Sequence, residues 1–209
     1  MSGNRSSLVY VVDDDISVRE ALVWLLSTRN LPATPFDGAQ AFQLHLLEHG
    51  LGTGPRCLLL DVRMPGMSGL ALFDWLLERE LPGLMPVIFL TGHADVPTAV
   101  DCVKRGAYDF CEKPYSDNAL VDRVEGALAL SSRGLTNVDQ AAQIVEQERE
   151  LTERERDVMQ LVMEGLPNKR IADRLHISVR TVEVHRARVF DKMNVRSAVE
   201  LVNRVRGRS

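Results

Sequence analysis

Acidic, hydroxyl and basic side chains stand where short apolar runs of the chain end. Asp13 and Asp14 follow the first run, Asp61 ends another, Thr91 ends the next and Lys113 follows the last. If these runs are neighbouring strands, the carboxylates lie close together, and clustered carboxylates require a cation or a shared proton. An oxygen-only ligand set favours Mg²⁺ over zinc or copper. We therefore expect Mg²⁺ at this site, with Mn²⁺ as the alternative ion.

The same residue types are those that phosphoryl transfer needs. A carboxylate can attack phosphorus and become an aspartyl phosphate, while a metal, a lysine and a hydroxyl offset charge on the phosphoryl oxygens. Asp61 lies in the middle of the predicted cluster, so we assign it as the nucleophile. Asp13 and Asp14 are predicted to hold the metal, and Lys113 and Thr91 to bind the phosphoryl oxygens. Each residue alone suits a turn, a cap or a solvated surface, but the combination indicates a site.

Strand and helix patterns alternate over residues 1–130. Strands are predicted at Leu8–Val12, Ala33–Phe36, Cys57–Leu60, Val87–Leu90 and Tyr108–Cys111, and helices at 17–29, 39–49, 68–80, 96–105 and 116–130. Ser17 with Glu20 suggests a capping box for the first helix. Five βα units predict an α/β, flavodoxin-like (βα)5 domain with parallel strand order 2-1-3-4-5, which binds ligands at the carboxyl ends of its strands.

The pattern is helical after residue 130. Residues 131–150 are polar, and we interpret them as a linker that is partly or wholly helical; self-association and a solvated single helix both stay open. Residues 151–209 form an all-α domain of four predicted helices, the first opened by a Thr152–Glu155 capping box and the third by Ser178. Two helices joined by a tight turn, the second basic, indicate a helix-turn-helix.

The composition and the apolar runs of the chain exclude several classes of protein. Hydrophobic residues are 45% and charged residues 26% of the chain, which excludes wholesale disorder. No apolar run approaches the ~18 residues that span a bilayer, and no signal-peptide cleavage site is evident, so we expect a cytoplasmic protein with no membrane partner. The three cysteines lack a CxxC pair and are expected to be buried thiols: Cys57, Cys102 and Cys111.

Charge divides unequally along the chain. Residues 1–130 carry 10 Lys+Arg against 17 Asp+Glu, a net charge of −7, and residues 131–150 carry 2 against 4, a net of −2. Residues 151–209 carry 13 against 8, a net of +5. The basic end therefore predicts a polyanionic partner for the helical domain.

The predicted helix 178–193 has two distinct faces. Val182, Val189 and Met193 share a face that should pack inward, which leaves the opposite face for the DNA major groove. Base contacts are predicted for Thr181, Val184, Ala187 and Arg188. Positive charge for phosphate contacts comes from Lys169, Arg170, Arg180, Arg186, Lys192 and Arg196.

Four motifs of the first domain, VVDDD, LLLDVRMPGMSG, IFLTGHAD and DFCEKPY, resemble the receiver domain of two-component response regulators. LTERERDVMQLVMEGLPNK and ISVRTVEVHRARV resemble the LuxR-type helix-turn-helix. Together they resemble a FixJ-type member of the NarL/FixJ family over nearly the whole chain. The resemblance implies a receiver domain over 1–130 and a LuxR-type DNA-binding domain over 151–209.

The resemblance also implies roles for individual residues. Asp61 would accept a phosphoryl group from a sensor histidine kinase, with Mg²⁺ bound by Asp14, Asp61, the backbone carbonyl of Arg63 and, through water, Asp13. Phe110 matches the family's aromatic switch position, although a plain core or edge role stays open. Arg63 occupies a variable site near the nucleophile whose effect on phosphoryl lifetime has no predicted direction.

The implied partners are a sensor histidine kinase, double-stranded promoter DNA and RNA polymerase, with activation expected over repression. Phosphorylation would favour a homodimer through the fourth helix, fifth strand and fifth helix, or release a masked DNA-binding domain. Glu183 departs from the Lys that many LuxR-type domains carry, and its role stays open. His185 is expected to pack between helices, because no second ligand lies at metal spacing.

Two other function classes compete with this interpretation. An aspartyl-phosphate phosphohydrolase of haloacid-dehalogenase type uses a DxD motif, but here the residue two after Asp61 is Arg63. A phosphorylation-independent receiver-like interaction module would not need the acidic, threonine and lysine set. We therefore expect a transcriptional regulator rather than an enzyme, whose receiver assists only its own phosphoryl transfer and dephosphorylation.

Overall fold

The computed structural model describes residues 6–92 and 96–207, so the end of the IFLTGHAD motif, 93–95, lies outside the described residues. The chain divides into two compact units, the first ending at Leu135 and the second beginning at Thr136. Within the described part of the chain, no helix is both long and apolar enough to cross a bilayer.

The first unit is built on a parallel sheet with strand order β2-β1-β3-β4-β5, as predicted. Its elements follow the chain as β1 (Leu8–Val12), α1 (Ile16–Ser27), β2 (Ala33–Phe36), α2 (Ala39–His49), β3 (Arg56–Asp61), α3 (Gly69–Leu77), a 3₁₀ turn (Leu81–Gly83), β4 (Val87–Thr91), α4 (Val96–Lys104), β5 (Asp109–Glu112) and α5 (Asp117–Arg149).

Both faces of this sheet are covered, because alternate residues of each strand point to opposite sides. On β1, Tyr10 and Val12 pack in one buried cluster with α2 and α3, while Val9 and Val11 pack in another with α1 and α5. All six residues of β3 are buried. The central strands are thus near-continuous apolar runs, as expected for a parallel sheet, and their polar ends mark where the apolar interior stops.

The predicted capping box of the first helix is wrong. Asp15 is the N-cap of α1, and its side chain accepts a hydrogen bond from the Ser17 backbone N–H. Asp15 is as good a cap as Ser17 and lies closer to the end of β1, so the helix begins earlier, at Ile16.

The predicted helix 116–130 and the helical linker are one continuous helix, α5, which ends only at Arg149. Ser131 lies buried on it and accepts a hydrogen bond from the Arg56 backbone N–H at 2.9 Å. Its hydroxyl also donates to the Leu84 carbonyl. The helix does not end near 130 because Ser131 satisfies buried backbone groups of the first unit instead of capping a terminus.

The second unit contains the end of α5 and four further helices: α6 (Glu153–Met163), α7 (Asn168–Leu175), α8 (Val179–Lys192) and α9 (Ala198–Arg206). Thr152 and Glu155 form the predicted capping box of α6, and Ser178 caps α8 through the Thr181 backbone N–H. His176 adopts a left-handed conformation in the turn between α7 and α8. The three cysteines, all in the first unit, are buried free thiols.

Candidate functional site

The acidic side chains meet where β1 and β3 end. These strands are paired in parallel, with Val12 opposite Leu60, so Asp13 and Asp61 follow at the same edge of the sheet. Both are buried, with 1% and 9% of their surface exposed, respectively. Two ionised carboxylates in such a place repel each other and lose hydration, so they need a compensating cation.

Lys113 supplies that cation from the loop after β5. Its Nζ lies 2.8 Å from Asp13 Oδ2 and 2.6 Å from Asp61 Oδ1. Burial alone would lower the pKa of Lys113, but the hydrogen bonds to the two carboxylates outweigh it and raise that pKa. The ammonium therefore stays charged, and it offsets one of the two negative charges within one hydrogen-bonded group.

The Asp61 carboxylate is held at both oxygens. Oδ1 accepts from Lys113, and Oδ2 accepts from the Arg63 backbone N–H at 2.7 Å. Burial raises the pKa of Asp61, while the Lys113 hydrogen bond and charge act in the opposite direction. The side chain keeps 12% of its surface exposed, so a small group can approach the fixed carboxylate.

Gly69 positions the backbone that carries Asp61. It is the first residue of α3, and its N–H donates to the Val62 carbonyl at 3.1 Å. A Cβ atom at this position would overlap the Asp61 carbonyl oxygen. The sequence analysis missed this role, although a glycine directly after the helix-capping Ser68 is a signal of close backbone approach.

Asp14 does not join the two buried acids in a three-carboxylate cluster. It is exposed, and among the described residues no group of three or more His, Cys, Asp or Glu side chains is arranged to hold a metal ion. The donor chemistry at Asp13 and Asp61 still fits a hard cation, because both present carboxylate oxygens to a single cationic atom. In this structure that atom is the Lys113 ammonium.

Thr91 and Phe110 lie on β4 and β5, the two strands that follow β3 in the sheet. Thr91 ends β4, is fully buried and donates its hydroxyl to the Gly92 carbonyl at 3.1 Å. Phe110 lies on β5 opposite Phe89 of β4, and its half-buried ring packs against the buried cluster on the α2 and α3 side of the sheet. The hydroxyl and the ring are thus on adjacent strands of one edge of the site.

Helix α8 has the two faces that the sequence predicted. Val182, Val189 and Met193 are buried against the other helices of the second unit, which confirms the inward face. Arg180, Val184, Ala187 and Arg188 are exposed, with 45% of Val184 accessible. Lys169 and Arg170, at the start of α7, are exposed as well. Thr181 is half-buried, and its hydroxyl lies 2.8 Å from Ser178 Oγ.

Lys192, predicted to contact phosphate, is instead engaged within the unit. Its Nζ donates to Glu155 Oε2 at 2.7 Å and to the Glu150 carbonyl at 3.0 Å. Hydrogen bonds from Lys192 and from the Thr152 backbone lower the pKa of the buried Glu155 to about 2. The pattern of α8 did not predict this partner, because Glu155 lies 37 residues away and no local pattern reveals the pair.

Two further side chains of α8 are partly buried. Arg186 donates to Asn168 Oδ1 at 2.7 Å and lies over the Phe190 ring, so it links α8 to α7. His185 has a shielded Nδ1 without a hydrogen-bond partner in the described part of the chain. This agrees with the predicted packing role of His185.

Comparison with known families matches both parts of the chain. Residues 9–125 match the family described as "Response regulator receiver domain", and residues 149–205 match "Bacterial regulatory proteins, luxR family". The first match covers the sheet and its polar edge, and the second covers α6 to α8 and most of α9.

Relatives of similar length resemble the chain from end to end. The C4-dicarboxylate transport transcriptional regulatory protein DctR of Rhodobacter capsulatus is 44% identical over 94% of this chain and 98% of its own. The transcriptional regulatory protein FixJ of Azorhizobium caulinodans is 43% identical over 93% of this chain and 89% of its own.

Solved structures show the same likeness. The response regulator StyR superposes with a TM-score of 0.81 at 40% identity, covering 97% of this chain and 99% of that one. Full-length FixJ of B. japonicum gives a TM-score of 0.57 at 40% identity over 96% of each chain. The chain therefore belongs to the FixJ-like two-component response regulators, transcriptional regulators that join a receiver domain to a LuxR-type DNA-binding domain.

Proposed function

We propose that Asp61 accepts a phosphoryl group from a sensor histidine kinase, and that its phosphorylation switches DNA binding and transcription. The single observation that supports this most is the Lys113 ammonium shared by Asp13 and Asp61. This arrangement of Lys113 and the two carboxylates holds a carboxylate nucleophile beside a fixed positive charge, which is what a phosphoryl acceptor requires.

In the proposed transfer, a bond forms between an Asp61 oxygen and phosphorus while the phosphorus–nitrogen bond of phosphohistidine breaks. The imidazole leaves with the electron pair of that bond. Lys113 and the Arg63 N–H keep the carboxylate oriented during the attack. Lys113 then stabilises a phosphoryl oxygen, because its charge already lies at the acceptor.

Mg²⁺, or Mn²⁺ in its place, would be held by Asp13, Asp14, Asp61 and the backbone carbonyl of Arg63, and when bound it offsets negative charge on the phosphoryl oxygens. Thr91 exchanges its hydrogen bond with Gly92 for one to the phosphoryl group. The Phe110 ring then moves inward beside it. The switch is a shift between two populations of the receiver.

The output proposed for the second unit is binding of promoter DNA by α8. Its exposed face, with Val184, Ala187 and Arg188, would enter the major groove. Lys169, Arg170 and Arg180 would contact phosphates, whereas Lys192 is left out because Glu155 holds it.

Phosphorylation would yield a homodimer that reads paired half-sites and activates RNA polymerase. We assign residues 1–130 to the receiver, 131–150 to the linker and 151–209 to DNA binding.

The test is DNA binding with and without a small phosphodonor, across a salt series, for the wild type, Asp61→Asn and the control Asp37→Asn. Asp37 is exposed and directly follows β2, so it matches the charge change at a neighbouring strand end. We expect the phosphodonor to increase binding for the wild type and Asp37→Asn only. An equal increase for Asp61→Asn would overturn the proposed acceptor.

A further inference from the structure

Glu183 is an acidic residue on the helix proposed to bind DNA. It is exposed on α8, on the same side as Arg180, Val184 and Ala187 and away from the buried Val182. Helical spacing places residues three and four apart next to each other, so Arg180 and Ala187 flank Glu183 along the helix. The carboxylate therefore lies on the exposed side of α8, between Arg180 and Ala187.

This carboxylate has no partner among the residues that the structure describes. Within residues 6–92 and 96–207, Glu183 makes no hydrogen bond or ion pair. Arg186, three residues further along α8, is unavailable because Asn168 and the Phe190 ring hold its guanidinium. Glu155, an acid of the same unit, is buried and paired with Lys192. Glu183 differs from Glu155 because it is exposed and no described residue pairs with it.

On DNA, a carboxylate at this position meets repulsion nearly everywhere. The phosphates are anionic, and most polar atoms of the major-groove base edges are acceptors: guanine N7 and O6, adenine N7 and thymine O4. Only the exocyclic amines, cytosine N4 and adenine N6, can donate to it. The adenine amine lies between two acceptors, N7 and the paired thymine O4. The cytosine amine has an acceptor, guanine O6, on one side only.

We propose that Glu183 is a specificity-determining residue that accepts a hydrogen bond from cytosine N4 in each half-site. The inference rests on the proposed DNA-binding function and adds to it the identity of one base pair. The same charge that binds cytosine repels phosphates, so Glu183 also weakens binding to DNA that lacks this base. It therefore contributes to discrimination more than to affinity.

The experiment selects binding sites from randomised double-stranded DNA with the full-length protein and a small phosphodonor. It compares the wild type with Glu183→Gln, Glu183→Ala and the control Glu153→Gln, an exposed acid in the first turn of α6. The wild type and the control should enrich a cytosine at one half-site position. Glu183→Gln should move that preference to adenine, which glutamine contacts through N6 and N7. Glu183→Ala should accept any base there.

Affinity measurements on the enriched DNA complete the test. Replacing the cytosine pair by a thymine pair should weaken the wild type about 5- to 150-fold and Glu183→Ala by less than twofold. If the wild type enriches no sequence, the proposed DNA binding fails and the inference with it. If the wild type and both Glu183 variants enrich the same sequences, DNA binding stands and the role of Glu183 is refuted.

Discussion

Lys113 decides whether the two buried acids can remain ionised side by side. Its ammonium is within 3 Å of both Asp13 and Asp61, so it is a cationic partner that the two carboxylates share. The sequence predicted that the acids need a positive charge, but it assigned that charge to a metal ion. The structure places a lysine there, which offsets one of the two negative charges before any ion binds.

Lys113→Met should slow phosphorylation by a small phosphodonor about 100-fold, because one fixed positive charge at the phosphoryl oxygens is lost. The pKa of Asp61 should also rise further, since burial would act without the opposing ammonium. The initial rate of phosphoprotein formation at neutral pH measures the effect. Lys104→Met, at the exposed end of α4, is the control and should react like the wild type. An unchanged rate for Lys113→Met would remove Lys113 from the mechanism.

Glu155 makes the second unit sensitive to acid. Its pKa is about 2 in the folded protein against an ordinary value of 4.5, because Lys192 and the Thr152 backbone stabilise the carboxylate. A lowered pKa gives stability that is complete above about pH 4.5 and is lost as the pH falls towards 2. The lost contribution is on the order of 2–3 kcal/mol.

Hydrogen exchange of the α6 and α8 amides in the full chain, corrected for intrinsic rates, should show this loss between pH 4.5 and 2. Glu155→Gln should have weaker protection at neutral pH and a much smaller acid-dependent change. Glu153→Gln removes an exposed carboxylate two residues away and should behave like the wild type. Identical pH profiles for all three proteins would show that the Glu155–Lys192 pair does not stabilise the unit.

At the scale of elements, the junction of β3 and α3 sets the position of the nucleophile. Gly69→Ala inserts a methyl group where the Asp61 carbonyl lies, so α3 must move away from β3. We expect a loss of about 1–3 kcal/mol in the free energy of unfolding, together with slower phosphorylation. Denaturation followed by tryptophan fluorescence reports on the first unit, since both tryptophans, Trp24 and Trp75, lie in it.

Gly38→Ala is the matched control, because a Cβ at Gly38 has no neighbour within 4 Å. Its backbone φ of 174° is extended, which any residue adopts. If Gly69→Ala were as stable and as reactive as Gly38→Ala, the close approach of α3 to Asp61 would have no functional importance.

The elements were largely predictable, because their signals are local. Strand and helix patterns predicted β1, β2 and α2 with the observed bounds. The continuity of α5 was less accessible, because Ser131 satisfies backbone groups of Arg56 and Leu84, which are distant in sequence. The N-cap of α1 was misassigned because Asp15 and Ser17 are both good caps, and only the end of β1 decides between them.

The candidate site was predictable in composition but only partly in geometry. The parallel strand order brings four predicted residues to one edge of the sheet: Asp13, Asp61, Thr91 and Lys113. This follows the rule that parallel sheets bind ligands at the carboxyl ends of their strands. The same rule cannot say which side chain turns inward, so it did not distinguish the exposed Asp14 from the buried Asp13 and Asp61. Nor can it find pairs such as Glu155 with Lys192, whose meeting depends on how separate helices pack.

For the whole molecule, opposite charges separate two tasks. Residues 1–130 carry a net charge of −7, and residues 151–209 carry +5. An acidic unit with a buried lysine–carboxylate group suits the capture of a phosphoryl group by one oriented side chain. A basic unit with an exposed helix face suits DNA, with an affinity that falls as salt rises. Phosphorylation of Asp61 in the first unit is proposed to control DNA binding by the second.

The most direct test of that claim locates the phosphoryl group. The full-length protein is treated with acetyl phosphate and Mg²⁺ and reduced with borohydride, which converts an aspartyl phosphate to homoserine, and its peptides are analysed by mass spectrometry. The account predicts homoserine at position 61 alone, and none anywhere in Asp61→Asn. Homoserine at position 13 or 14, or a phosphorylated protein with an intact Asp61, would contradict it.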